Sequence, residues 1–133
     1  MVKLERRTIP GEDGAGALLE VEALIAEAHA QDPALEASAR LLLERPSSQL
    51  GADSFVTEAV EKAATEVLNR EPEVIGVAYW MDMALSNAKG IPTVAFGPSG
   101  EGAHADVEWV DLASLEKCIQ VYLRAVELIC GPS

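Results

Sequence analysis

The sequence predicts an α/β layer arrangement with parallel strands, and three observations carry that prediction. From residue 53 onward, segments of helical periodicity alternate with short apolar runs, in the order helix, strand, helix, strand, loop, helix. The run Val74-Ile75-Gly76-Val77-Ala78-Tyr79-Trp80 is continuously apolar and of strand length, the pattern of a strand covered on both faces. The run at residues 93–96 passes into a glycine-rich loop, Gly97-Pro98-Ser99-Gly100-Glu101-Gly102, and then reaches His104 with acids around it. A strand that enters a Gly/Pro loop and presents one titratable group is how α/β enzymes hold site residues at the carboxyl edge of a sheet. Two strands make too small a sheet to stand alone, so this half reads as part of a larger one.

In chain order, Val2 and Leu4 alternate with polar residues and suggest a half-buried strand over residues 2–9. Pro10-Gly11 stops it, and Asp13 is placed to cap a helix over residues 15–30. Leu18, Val21, Leu24, Ile25 and Ala28 share one face of that helix, and His29 closes it, facing solvent and the helix dipole. Residues 35–45 look extended or mixed, with Leu41-Leu42-Leu43 as a strand. The composition then shifts to Pro46-Ser47-Ser48-Gln49-Leu50-Gly51-Ala52-Asp53, which divides the chain into residues 1–48 and 49–133.

A second helix is expected over residues 54–69, capped by Asp53 or Ser54, with Phe55, Val56, Ala59, Val60, Ala63 and Val67 as its apolar stripe. A short helix over residues 83–89 begins after Asp82, whose carboxylate is favourable at a helix N-terminus without any catalytic role. The last helix, residues 112–130, is capped by Asp111. Its apolar face is expected to be Leu112, Leu115, Ile119, Tyr122, Val126 and Ile129.

Composition narrows the function classes. Apolar residues at 49% and charged residues at 24% give a globular balance. A net charge of −12 disfavours nucleic acid and anionic membranes, since phosphate binding needs clustered Lys and Arg. No apolar run reaches membrane-spanning length, and the first seven residues have no apolar core of a signal peptide. Cys118 and Cys130 lie about 18 Å apart along one helix, too far for a disulfide. We expect two reduced thiols in a cytoplasmic protein.

The segment Ile91-Pro92-Thr93-Val94-Ala95-Phe96-Gly97-Pro98-Ser99-Gly100, followed by Ala103-His104-Ala105-Asp106-Val107-Glu108-Trp109-Val110, resembles the carboxyl-terminal signature of a zinc amidohydrolase family. Its members include acetylornithine deacetylase, succinyl-diaminopimelate desuccinylase, aminoacylase and glutamate carboxypeptidase. Tyr79-Trp80-Met81-Asp82-Met83-Ala84 is similar to the family's strand-to-helix turn, with Met81 where Thr is usual. Leu4-Glu5-Arg6-Arg7-Thr8-Ile9-Pro10-Gly11-Glu12 is similar to a strand of its inserted lid, or dimerisation, domain. The resemblance implies a fold: part of an α+β (ferredoxin-like) lid over residues 1–48, then the C-terminal segment of a three-layer α/β/α zinc-hydrolase domain.

The resemblance also implies a site. His104 aligns with the family's last metal ligand, a terminal ligand of one zinc in a two-zinc site, and imidazole is a donor that suits zinc. Asp106 and Glu108 are candidates to orient such a histidine, with Asp82 as a third carboxylate near the site. For Glu108 a solvated surface acid is the competing reading. The implied reaction is hydrolysis of an amide or peptide bond of an N-acyl amino acid or small peptide by zinc-activated water. The family's other ligands and its glutamate base have no counterpart in this sequence, and one imidazole cannot hold a zinc that needs about three protein ligands. The expectation is therefore a fragment, inactive alone, whose parent enzyme could dimerise through its lid. The alternative is a non-catalytic assembly or binding module that keeps the scaffold.

Overall fold

A short polar residue, Asp13, Ser54 or Asp111, stands at the cap position of each long helix. The computed structural model describes residues 1–51 and 53–131. Along them run α1 (Gly14–Gln31), α2 (Phe55–Leu68), α3 (Met83–Ala88), β1 (Gly100–Glu101), β2 (Trp109–Val110) and α4 (Leu112–Cys130). The Asp13 carboxylate accepts from Gly16 N–H at 2.7 Å, and that of Asp111 from Ser114 N–H at 2.6 Å, as their positions in the sequence predict. Ser54 occupies the cap position of α2, but its side chain makes no cap bond, and its buried hydroxyl has no partner among the described residues. Asp82 precedes α3 with helical backbone angles, φ −59° and ψ −19°, rather than the extended ones that aim a cap side chain back at the helix, and it too makes no cap bond. Asn69, in the left-handed region at φ 54°, ends α2.

The core lies between α2 and α4. Ala63 and Ala64 meet Val121 and Ala125, and Val60, Val67, Leu68, Phe96 and Leu128 pack around them. Small side chains on both helices let the two backbones approach closely. At the edge of this contact the Arg124 guanidinium reaches Glu66 through Nε at 2.6 Å and Nη2 at 3.5 Å, and Glu127 at 3.1 Å. The hydrogen bond from Arg124 is the main reason that the Glu66 carboxyl titrates below its ordinary range.

The face of α4 that is buried differs from the expected one. Cys118, Val121 and Ala125 are buried, whereas Leu112, Ile119, Tyr122, Val126 and Ile129 remain largely exposed. The apolar arc of α4 is wider than one partner helix covers, and α2 takes the part with the smaller side chains because those permit the closer approach. The larger side chains form a second, adjacent stripe.

Mixed helix with a small sheet bears out part of an α/β arrangement, but the strands stand elsewhere than expected. Residues 2–9, 35–45, 74–80 and 93–96 form no ladder. A strand exists through its neighbour's N–H and C=O groups, and these runs have no such neighbour among the described residues. Val74 and Ile75, expected to be covered on both faces, are 62% and 66% exposed. Isolated contacts tie the runs down instead. Arg7 donates to the Ala78 carbonyl, the Trp80 indole N–H donates to the Pro46 carbonyl at 3.1 Å, and the Arg45 guanidinium lies 5.1 Å from the Trp80 ring centroid. The sheet that does form is an antiparallel hairpin pairing Gly100 with Val110 and Glu101 with Trp109.

His29 does more than face solvent: its Nδ1 lies 3.1 Å from the Leu35 carbonyl oxygen, which can only accept, so this ring nitrogen carries the proton. Cys118 is buried, Cys130 is exposed, and both thiols are free. No described helix is long and apolar enough to cross a membrane.

Candidate metal-ligand hairpin

His104 sits in the loop that joins β1 to β2. Gly102 opens this loop at φ 78°, and the Ala105 N–H closes a turn onto the Gly102 carbonyl at 2.8 Å. His104 is the third residue of that turn and has φ 65°, the left-handed value that a type II turn requires there. Among non-glycine residues His is one of those that tolerate this conformation. The glycines on the incoming strand are dictated by proximity. A Cβ on Gly100 would stand 2.3 Å from the Trp109 carbonyl oxygen, and one on Gly102 would stand 2.0 Å from that of Val107. Only bare backbone lets the two arms of the hairpin come this close.

The path into the hairpin is anchored at three points. Asn87, in the last turn of α3, receives the Thr93 N–H on Oδ1 at 2.7 Å and donates from Nδ2 to the Thr93 carbonyl at 3.0 Å. The same amide nitrogen donates to Ser48 Oγ at 2.9 Å. One side chain thus serves residue 93 as a neighbouring strand would, and joins it to the segment before α2. Farther on, the Tyr122 hydroxyl donates to the Phe96 carbonyl, with the two rings edge to face at 6.1 Å. Desolvation, then the neighbouring Cys118, raises the Tyr122 pKa above its ordinary value, so this phenol remains a donor at neutral pH. Last, Ser99 is held by the start of α4. Its N–H donates to Ser114 Oγ at 3.0 Å, and its carbonyl accepts from Asp111 N–H at 2.9 Å.

None of these anchors stood out in the sequence. The Asp-x-x-Ser spacing of Asp111 and Ser114 marks a helix start but not the loop that Ser114 also holds. An Asn in the last turn of a short helix is a weak helix former, and that was the available signal for Asn87.

The candidate residues are brought together only in part. His104, Asp106 and Glu108 share the hairpin and are exposed. Asp82 stands at the start of α3, and no hydrogen bond or ion pair joins it to the hairpin among the described residues. No group of three His, Cys, Asp or Glu side chains is placed to hold a metal ion among the described residues. The chemistry of the donor set therefore suits one coordination position. The imidazole of His104 is exposed at a fixed turn and makes no hydrogen bond to another described residue, so it can supply a nitrogen to a metal completed from elsewhere. A groove of about 610 Å³ beside α1, lined by Glu22, His29, Leu35 and Glu36 among others, shares no residue with the hairpin.

Comparison with known proteins agrees with the resemblance in the sequence. A family model described as peptidase family M20/M25/M40 matches residues 10–128, a span that includes α1, α2, α3, the hairpin and almost all of α4. No curated protein and no solved structure matches the chain. A match over that much of the sequence shows the family, and the chain belongs to peptidase family M20/M25/M40.

Proposed function

We propose that this chain supplies one wall of a two-zinc amidohydrolase site, with His104 as a terminal zinc ligand. The family is one of metal-dependent peptidases, and the observation that carries the finer reading is the position of His104. It lies within the matched span, in a left-handed turn whose strand and helix are both anchored. Zinc bound there would polarise the scissile carbonyl and generate a water-derived nucleophile at neutral pH. The chain's own contribution is to hold the imidazole in the hairpin loop, with the Asp106 and Glu108 carboxylates on the same hairpin as the candidates to orient its ring.

In this reading residues 1–48 belong to the lid and residues 49–133 to the catalytic domain. The substrate class is an N-acyl amino acid or small peptide, and the parent enzyme is a candidate homodimer through its lid. The remaining ligands and the general base lie on residues this chain does not supply, so the isolated chain is expected to be inert. The test is an amide-hydrolysis assay of the purified chain with zinc, using N-acetyl amino acids and dipeptides. The expected result is no turnover above that of zinc alone. Turnover that is lost in His104→Ala would show that the chain completes its own site and would overturn the reading.

A further inference from the structure

We propose that Ser114 is a positioning residue for His104, acting through the Ser99 backbone rather than on the metal. The proposal rests on the reading of His104 as a zinc ligand. The hairpin is short, with two residues in each strand, and a hairpin of that size is not stable by itself. Its order must therefore come from outside, and the contacts at its base identify the source. Ser114 Oγ accepts the Ser99 N–H at 3.0 Å while donating to the Asp111 carbonyl at 2.8 Å. The Ser99 carbonyl in turn accepts the Asp111 N–H at 2.9 Å.

Ser99 and Asp111 are the residues immediately outside β1 and β2, so this clasp closes the ring of chain from 99 to 111 that presents His104. The clasp is fastened to a rigid body. Ser114 lies in the first turn of α4, whose buried face packs on α2 through Val121 and Ala125. The hydroxyl thus transmits the fixed orientation of a 19-residue helix to a loop whose residues 103–108 are all exposed. Asp111 cannot do this alone, because its carboxylate is committed to the Ser114 N–H at 2.6 Å. Without the hydroxyl, the Ser99 N–H loses its acceptor and one bond remains at the base of the hairpin.

The experiment compares the full chain with its Ser114→Ala and Ser114→Thr variants by NMR. In Ser114→Ala the Ser99 amide is expected to exchange about fivefold faster, the loss of one neutral hydrogen bond. The backbone order parameter of His104 should fall from about 0.85 to below about 0.6. Protection of the Val121 amide, which reports the α2–α4 core, should not change, and Ser114→Thr should restore both hairpin values. An unchanged His104 order parameter in Ser114→Ala overturns the proposal. So does parallel loss of Val121 protection, which would make Ser114 a general structural residue, or failure of Ser114→Thr to rescue. Cobalt(II) added to the wild-type chain separates the underlying reading from this one. If the hairpin loosens as expected but cobalt leaves the wild-type His104 ring signals unperturbed, the ligand reading fails while Ser114 still orders the hairpin.

Discussion

Val121→Asp is expected to abolish cooperative folding of the α2–α4 pair. Val121 is wholly buried, and it meets Ala63, Ala64 and Ala125, none of which can solvate or pair with a carboxylate. Leaving a charge buried and unpaired costs about 3–5 kcal/mol. That is comparable to the whole stability of a small, marginal domain. Val121→Ala removes only methyl groups and should cost about 2 kcal/mol, from lost burial and a small cavity. Leu123→Asp, on the same helix at 63% exposure, should stay within about 0.5 kcal/mol of wild type. Urea denaturation followed by helical ellipticity checks all three. A Val121→Asp midpoint equal to that of Leu123→Asp would mean that these helices do not form the core.

Gly102→Ala has the second largest expected effect, and it falls on the site rather than on the core. Two separate penalties meet at this glycine. The left-handed backbone, φ 78°, costs a residue with a Cβ about 1–2 kcal/mol. The Cβ itself would stand 2.0 Å from the Val107 carbonyl oxygen, which belongs to the opposing backbone and cannot rotate away. Gly11→Ala isolates the first penalty, because Gly11 has φ 95° with nothing within 4 Å of the added atom. The β1–β2 hairpin should open in Gly102→Ala, with loss of the cross-strand proton contact between Gly100 and Val110, and it should persist in Gly11→Ala. Helical ellipticity should be the same in both variants. A hairpin that survives Gly102→Ala would show that the two arms are not held as closely as described.

What was legible in the sequence followed from the range over which each pattern acts. Helices are local. Asp13 and Asp111 cap where their spacing says, and Leu112–Cys130 has the expected ends. Strands are not local. Val74 to Trp80 has the composition of a covered strand, but composition supplies no partner, and the run stays exposed with no partner strand among the described residues. The face of α4 failed for a related reason: an apolar arc wide enough for two neighbours does not say which neighbour takes which part, and small residues on α2 decided it.

The site divides in the same way. His104 was visible through its glycine-rich approach and its resemblance to a family signature. Its supports were not, because Asn87, Ser114 and Tyr122 act on backbone groups of Thr93, Ser99 and Phe96, and such contacts leave no pattern between the residues involved. Asp82, singled out from the family's strand-to-helix turn rather than from the signature that carries His104, stands at the start of α3 and makes no bond to the hairpin among the described residues.

In the function proposed above, His104 gives one nitrogen to a metal completed from elsewhere. The chain has two histidines, which makes a direct measurement possible. Zinc titration of the chain, followed by the ring signals of both imidazoles, should shift His104 selectively, with weak affinity and no saturation at one equivalent. His29, whose Nδ1 is engaged by the Leu35 carbonyl, should serve as the internal reference. Equal response of both rings, or no response of His104 while His29 shifts, would contradict the account.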